Sequence, residues 1–169
     1  MEENRPIILS DIQIRTFLKA GDLGYVTYLH GKIYIEEYQF GTGIETYVAR
    51  GLSDFYDSYN PERERVWICE YAGRVIGSMM LLDRGTAAQL RYFILEKEFR
   101  GIGLGKKLMS AFMDALHQIG YKSAYLLTTN GLPASAHLYQ RYGFQLVEEK
   151  RSDAFGKPLH EQRYELQLI

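Results

Sequence analysis

The chain has one cysteine, Cys69, in 169 residues, so it can form no internal disulfide and no cluster of thiolate metal ligands. It has no surplus of charge of either sign: 20 Lys and Arg stand against 21 Asp and Glu, a formal net charge of -1. That balance gives no basis for binding nucleic acid or an anionic membrane surface. No apolar run approaches the length of a bilayer span, and Met1–Asp11 lacks the apolar centre of a signal peptide, so a soluble, cytoplasmic protein is expected. Repeats, low-complexity tracts and linkers are absent too. At this length the expectation is a single domain over residues 1–169, large enough for a substantial core, with no metal.

What the chain does have is tyrosine. There are 14, and seven of them, Tyr25, Tyr28, Tyr34, Tyr38, Tyr47, Tyr56 and Tyr59, fall between positions 25 and 59. A tyrosine buries a large ring and keeps a polar tip, which suits a core edge or the wall of a polar pocket. The other concentration is of glycine, in Arg100-Gly101-Ile102-Gly103-Leu104-Gly105-Lys106. This stretch follows the apolar run Leu90–Leu95, a strand pattern. It enters a helix whose apolar face is Leu104, Leu108, Ala111, Phe112, Ala115, Leu116 and Ile119, ended by Gly120. A glycine-rich loop at a helix start offers unpartnered N–H groups and the positive end of the helix dipole, an arrangement suited to phosphate. Two familiar loops are excluded by spacing. A dinucleotide fingerprint has Lys106 or Leu108 where its third glycine belongs, and a nucleotide P-loop has Lys107 after Gly105-Lys106 and Arg100 five positions before Gly105.

Along the rest of the chain, Ile7–Phe17 alternates loosely and predicts a first strand. Asp22 is a fair N-cap for a helix from Leu23 to about Glu37, with Gly31 as a point of kinking. A second helix puts Ile44, Tyr47, Val48, Leu52, Phe55, Tyr56 and Tyr59 on one face and closes before Pro61. Val66–Tyr71 and Arg74–Leu82 form a hairpin about Ala72-Gly73, and Ala87–Leu95 a third antiparallel strand. Ser123–Thr128, reached through a helical crossover, is expected parallel to it. Asn130 is placed to cap a fourth helix with Pro133 in its first turn, ending at Tyr142-Gly143. Phe144–Lys150 and Gln162–Ile169 are the last strands.

The loop matches R/Q-x-x-G-x-G/A at Arg100, Gly103 and Gly105, and the run Asn130 to Phe144 is similar to N-x-x-A-x-x-L-Y-x-x-x-G-F. In both motifs, and in the order β-α-α-β-β-β-α-β-α-β-β, the chain resembles the GNAT superfamily of N-acetyltransferases along essentially its whole length. The implied fold is α/β (α+β), a mixed, mostly antiparallel sheet of about seven strands flanked by four helices. Gly21–Val26, His30-Gly31, Glu36–Tyr38, Pro61–Arg65 and Val147–Glu149 look similar to the acetyltransferase half of bacterial MarR–GNAT fusion proteins. With barely ten residues before the first strand, a DNA-binding half is not expected here.

The resemblance implies acetyl-CoA as acetyl donor. Its pyrophosphate would rest on Arg100, Gly101, Ile102, Gly103, Leu104, Gly105 and Lys106, and its pantetheine arm on backbone groups of Phe93, Ile94 and Leu95 and on Asn130. It also implies Tyr139 as general acid to the departing thiolate. The base is not named by either motif: Gly85–Leu95 carries no acid before Glu96. Glu37, as base or acceptor-binding group, and Glu36, Glu45 and His30 are candidates on the two early helices. Together with Tyr25, Tyr28, Tyr34 and Tyr38 they are expected to make an acidic, tyrosine-lined acceptor pocket for a cation. Cys69 is expected in the core. The acceptor is a primary amine of a small molecule or a protein, and a homodimer is compatible with the resemblance. A CoA-binding regulatory module without turnover and an acyltransferase for longer chains are the competing readings.

Overall fold

Strands that are apolar at nearly every position need cover on both faces. The sequence supplies two such runs, Arg65–Tyr71 (β2) and Arg74–Arg84 (β3). In the computed structural model, which describes residues 5–169, the alternation sorts their side chains into two cores. Trp67, Cys69, Met79 and Leu81 face one way and Val66, Ile68, Met80 and Leu82 the other. Met1–Asn4, the start of the stretch considered above as a leader, lie outside the described residues. Ala72 and Gly73 both take positive φ, 49° and 76°, the conformation a two-residue hairpin of this twist demands.

The remaining elements are Gln13–Arg15 (β1), Asp22–Tyr38 (α1), Gly43–Asp57 (α2), Ala87–Leu95 (β4), Leu104–Ile119 (α3), Ser123–Thr129 (β5), Pro133–Arg141 (α4), Gln145–Ser152 (β6) and Leu159–Gln167 (β7). They form a seven-stranded sheet in the order β1-β2-β3-β4-β5-β7-β6, in which only β4 and β5 pair in parallel. This is the GNAT-type arrangement expected above. On one face Leu104, Leu108, Phe112 and Leu116 of α3 pack with Tyr139 of α4 and Phe144. On the other, Val26 of α1 and Ile44, Val48, Leu52 and Phe55 of α2 cover β2 and β3.

Three local expectations are corrected. The first strand is only Gln13–Arg15, because the Asp11 carboxylate accepts the Ile8 N–H at 2.9 Å and closes a short 3-10 turn at Leu9–Asp11. Helix α1 runs unbroken through Gly31. Gly31 is buried against the Glu45 side chain of α2, which occupies the space a Cβ would take, so the residue marks a contact between two helices and not a kink. Asp22 lies inside α1, with Gly21 as the cap. Its carboxylate accepts the Lys19 N–H at 2.6 Å and pairs with the Arg15 guanidinium at 2.7 Å, both side chains about 5% exposed. Arg15 also reaches Glu70 at 2.8 Å and the Phe17 carbonyl.

Burial opposes the Asp22 charge, but Arg15 and the Lys19 N–H outweigh it and hold the carboxyl below the usual range. Asp22→Ala leaves Arg15 buried beside Glu70 alone. A loss of about 3 kcal/mol is expected in urea unfolding, with the fold retained. A loss under about 1 kcal/mol would show that the cluster does not fasten α1 to the sheet edge.

Candidate active site

Strand β4 is where the sheet departs from regularity. Met80 pairs with Arg91 and Ser78 with Ile94, so one residue of β3 stands opposite two of β4, a bulge formed by Tyr92 and Phe93. Tyr92 takes φ of 52°, an uncommon conformation for a bulky side chain, and the Ser78 hydroxyl donates to its carbonyl at 2.7 Å. The bulge changes the alternation. Arg91 and Tyr92 are neighbours in sequence, yet both reach Gly51 of α2, where a Cβ would overlap the Tyr92 hydroxyl. The parallel partnership of β4 with β5 covers only Ala88–Leu90 against Ala124–Leu126. Beyond Leu90 the two strands part, and the β5-facing edge of β4 has no strand partner.

Two cavities open where they part. The first, of about 250 Å³, is a groove bounded by Phe93, Ile94 and Leu95 of β4, Arg100, Gly101 and Gly105 of the glycine loop, and Leu132, Ala134, Ser135 and Leu138 at the start of α4. Gly101 and Gly103 have φ of 79° and 94°, and Gly103 caps α3 without any side-chain hydrogen bond. The first intrahelical bond is Lys107 N–H to Gly103 C=O at 3.0 Å, which leaves the N–H groups of Leu104, Gly105 and Lys106 without helical acceptors. No acidic side chain stands in that turn. A Cβ on Gly105 would press on Leu138 at 3.3 Å, so glycine keeps the space between α3 and α4 open. These features fit a pyrophosphate at the helix start with an extended arm running along β4.

The second cavity, of about 190 Å³, lies on the other side of Tyr34, Phe93 and Tyr139, which line both spaces. Its walls come from α1 (His30), α2 (Tyr47, Val48), β4 (Gln89, Arg91, Tyr92), β5 (Leu127–Thr129), β6 and β7 (Glu148, Lys150, Glu161, Arg163) and the loop bearing Phe155. Aromatic rings make a continuous rim: Tyr47 on Phe155, Phe155 on Phe40, Phe40 on Tyr34, and Tyr34 stacked on His30, with centroids 5.0–6.1 Å apart. The Phe155 loop is tied down by the Gly41 N–H donating to the Phe155 carbonyl at 2.8 Å and by Lys157 donating to the Tyr38 carbonyl at 2.6 Å.

Of the residues singled out in the sequence, Phe93, Ile94, Leu95, Arg100, Gly101, Gly105 and Tyr139 converge on the groove, and Tyr34 and His30 on the second cavity; Tyr38, expected beside them in the acceptor pocket, lines the groove instead. Leu104 is buried in the core, so only its backbone faces the loop. The rest are placed differently. Asn130 does not cap α4, whose N-cap is Leu132. Its side-chain oxygen accepts the His160 N–H at 2.8 Å and so ties the end of β5 to the start of β7. Tyr25 and Tyr28 line neither cavity: they pack on each other at 5.6 Å, and Tyr28 is 52% exposed. Glu37 is held by Arg100 in a bidentate pair at 2.7 and 3.0 Å, and Arg100 also donates to the Leu95 carbonyl at 2.9 Å. Both charges are therefore matched to each other, and the pair fastens α1 to the glycine loop.

The expected acidic pocket is not formed. Glu36 is exposed and Glu45 packs against Gly31, while Arg91, Lys150 and Arg163 line the cavity with Glu148 and Glu161. Sequence reasoning passed over Arg91 and Tyr92, whose placement depends on the bulge, and over Phe155, which is brought in by a distant loop.

Titration follows from burial. Tyr139 is raised above the ordinary phenol value, mainly by burial, so it keeps its proton through the physiological range. Tyr34 is pushed up to about 12 for the same reason. Burial pushes Cys69 up to about 12, which leaves almost no thiolate and bears out its place in the core. His30 is driven down to about 4 by burial, against the support of the Val26 carbonyl at 2.7 Å. That carbonyl only accepts, so Nδ1 carries the proton and Nε2 has the lone pair.

Residues 62–146, half of the chain, match the family model described as Acetyltransferase (GNAT) domain. The uncharacterized N-acetyltransferase YjgM of Escherichia coli (strain K12) is 29% identical over 101 residues, which cover 57% of this chain and 60% of that protein. The chain thus spans about 60% of the length of the curated relatives it matches. An acetyltransferase from Streptococcus agalactiae superposes with a TM-score of 0.74 at 21% identity, over 95% of this chain and all of that one. Spermidine N-acetyltransferase from Vibrio cholerae, solved with CoA and spermine, gives 0.69 at 22% identity over 94% and 96%.

The His30 assignment predicts a pH effect on stability. Its folded pKa lies below its unfolded value of 6.5, so between the two only the unfolded chain takes up the proton, and stability falls as pH drops from 6.5 towards 4. At pH 5 the loss from this residue is about 2 kcal/mol. His30→Phe should remove that part of the slope between pH 7 and pH 5 in urea unfolding. Equal slopes in the two proteins would show that His30 is not held neutral.

Proposed function

Since the chain belongs to the GNAT acetyltransferase family, we propose that it is an acetyl-CoA-dependent N-acetyltransferase that transfers the acetyl group to a primary amine by direct attack. One observation carries the reading: a groove ending at an uncapped helix start and a second cavity meet at Tyr34, Phe93 and Tyr139, so a donor thioester and an acceptor amine have separate entrances and one meeting point.

Acetyl-CoA supplies the activated acyl group, and transfer makes a C–N bond to its carbonyl carbon as the C–S bond breaks. In this reading the N–H groups of Leu104, Gly105 and Lys106 hold the pyrophosphate. The exposed Lys106 and Lys107 add positive charge, and the unpaired edge of β4 at Phe93–Leu95 takes the extended arm. Arg100, tied to Glu37 and the Leu95 carbonyl, positions the loop and contributes little free charge. Tyr139, kept protonated by burial and without a hydrogen-bond partner among the described residues, donates its proton to the thiolate and regains one from solvent. Neutralising a lysine-like amine at pH 7 costs about 4–5 kcal/mol, and the protons the amine sheds before and after attack pass to solvent water. His30, neutral but held near 4, is an acceptor of an amine N–H and a poor proton store. Glu37 serves the loop and not the amine.

The acceptor class extends to small molecules and protein amines. The narrower likeness to the acetyltransferase half of MarR–GNAT fusions, a bacterial cytoplasmic setting and a homodimer belong to the same reading and rest on the resemblance alone.

The test is CoA release from acetyl-CoA against a panel of primary amines, with calorimetric titration of acetyl-CoA into the same samples. Tyr139→Phe should lower kcat by about 100-fold while leaving acetyl-CoA affinity within a small factor. Acetyl-CoA binding with no release by any amine would instead establish a CoA-binding module without turnover, and no binding would overturn the assignment of the groove.

A further inference from the structure

Arg91 stands out in the second cavity for what it lacks. Of the buried and half-buried arginines, Arg15, Arg63, Arg65, Arg100 and Arg163 each donate hydrogen bonds, whereas Arg91 makes none and pairs with no carboxylate among the described residues. It is nonetheless held in place. The guanidinium centre lies 4.7 Å from the Tyr92 ring centroid and 5.6 Å from that of Tyr47, and its terminal nitrogens would stand 3.1 and 3.3 Å from a Cβ on Gly51. Beside it the Tyr92 hydroxyl is buried and has no hydrogen-bond partner. A buried hydroxyl left unmatched, beside a half-buried cation left unpaired, calls for an explanation.

The other cations of the cavity wall are placed differently: Arg163 pairs with Glu165 at 2.7 Å, and Lys150 is exposed and stands in register opposite Glu161 across the β6–β7 pair. Arg91 is the half-buried cation of that wall with no partner among the described residues, at the end nearest His30 and Tyr92.

We propose that Arg91 reads a carboxylate on the acceptor: the cavity takes a small amine that also carries an anionic carboxyl group, of amino-acid size, with an apolar body against the Tyr47–Phe155–Phe40 rim. This rests on the transfer reading for the same cavity, and goes beyond it by naming the acceptor class. The fork of five N–H donors matches a carboxylate in two parallel hydrogen bonds, and Tyr47 and Tyr92 restrict the fork to one orientation. A polyamine fits poorly at the Arg91 end, because its second cation would meet the guanidinium and be repelled.

The experiment compares L-phenylalanine, L-leucine and L-methionine with their carboxamides, and with spermidine, as acceptors in CoA release. The same free acids are titrated calorimetrically into protein saturated with CoA. The free acids should exceed the amides in kcat/KM by about 10–100-fold, chiefly through KM, with spermidine inactive. Arg91→Gln should bring the acid-to-amide ratio near one and abolish the calorimetric signal of the free acid, and Arg91→Lys should restore part of both. Equal use of acids and amides by the unsubstituted protein overturns the proposal whether or not Arg91→Gln folds, as does a preference that survives Arg91→Gln. The two readings fail differently. Free acids that bind through Arg91 without CoA release leave the carboxylate site standing and remove the transfer reading. Amines acetylated regardless of a carboxylate do the reverse. Free acids neither bound nor acetylated overturn the carboxylate site.

Discussion

The left-handed turn of the chain at Tyr92, pinned by the Ser78 hydroxyl on its carbonyl, is the constraint on which both cavities depend. A regular β4 would alternate its side chains and continue beside β5. The extra residue instead bends the strand, and β4 leaves β5 after three pairs. The groove and the second cavity lie on either side of that departure. The cost of a positive φ for tyrosine, of order 1 kcal/mol, is met by the Ser78 bond and by burial of the ring among Val48, Leu52 and Met80.

Much of the architecture was legible because it depends on local pattern. The α3 face, the Ala72-Gly73 hairpin and the order of elements along the chain all follow from apolar period and glycine position, and a crossover through a helix leaves little choice but a parallel β4–β5 pair. The groove was legible for a related reason: its key feature is backbone, and glycines in sequence report backbone. The acceptor cavity was not. Its walls come from α1, α2, β4, β6, β7 and the Phe155 loop, and which tyrosines face it depends on packing between elements far apart in the chain. Tyr34 and Tyr25 look equivalent in sequence, yet one borders both cavities and the other packs with Tyr28. Nothing local marks Tyr92 for a bulge, since the residue usually expected at positive φ is glycine or asparagine. Glu37 and Arg100 are 63 residues apart, so their pairing could not be read from the pattern of charges.

The same pairing changes how the site is organised. An acidic residue on α1 suggested a base; in place it is a strut between the helix that walls the second cavity and the glycine loop that bounds the groove. Together with the Arg15–Asp22 cluster at the other end of α1, it fixes this helix at both ends, so that His30 and Tyr34 are presented from a rigid element.

The clasp over the second cavity is made at two glycines. Gly41 and Gly156 approach so closely that a Cβ on Gly156 would stand 3.0 Å from the Gly41 Cα, and the Gly41 N–H holds the Phe155 carbonyl. At that point backbone meets backbone, so the junction of the two loops admits no side chain, while the ring of Phe155 hangs beneath it. Evolution can therefore change the depth of the chamber by exchanging one side chain at position 155 without rebuilding its ceiling, much as the length of a key is changed without altering the lock plate.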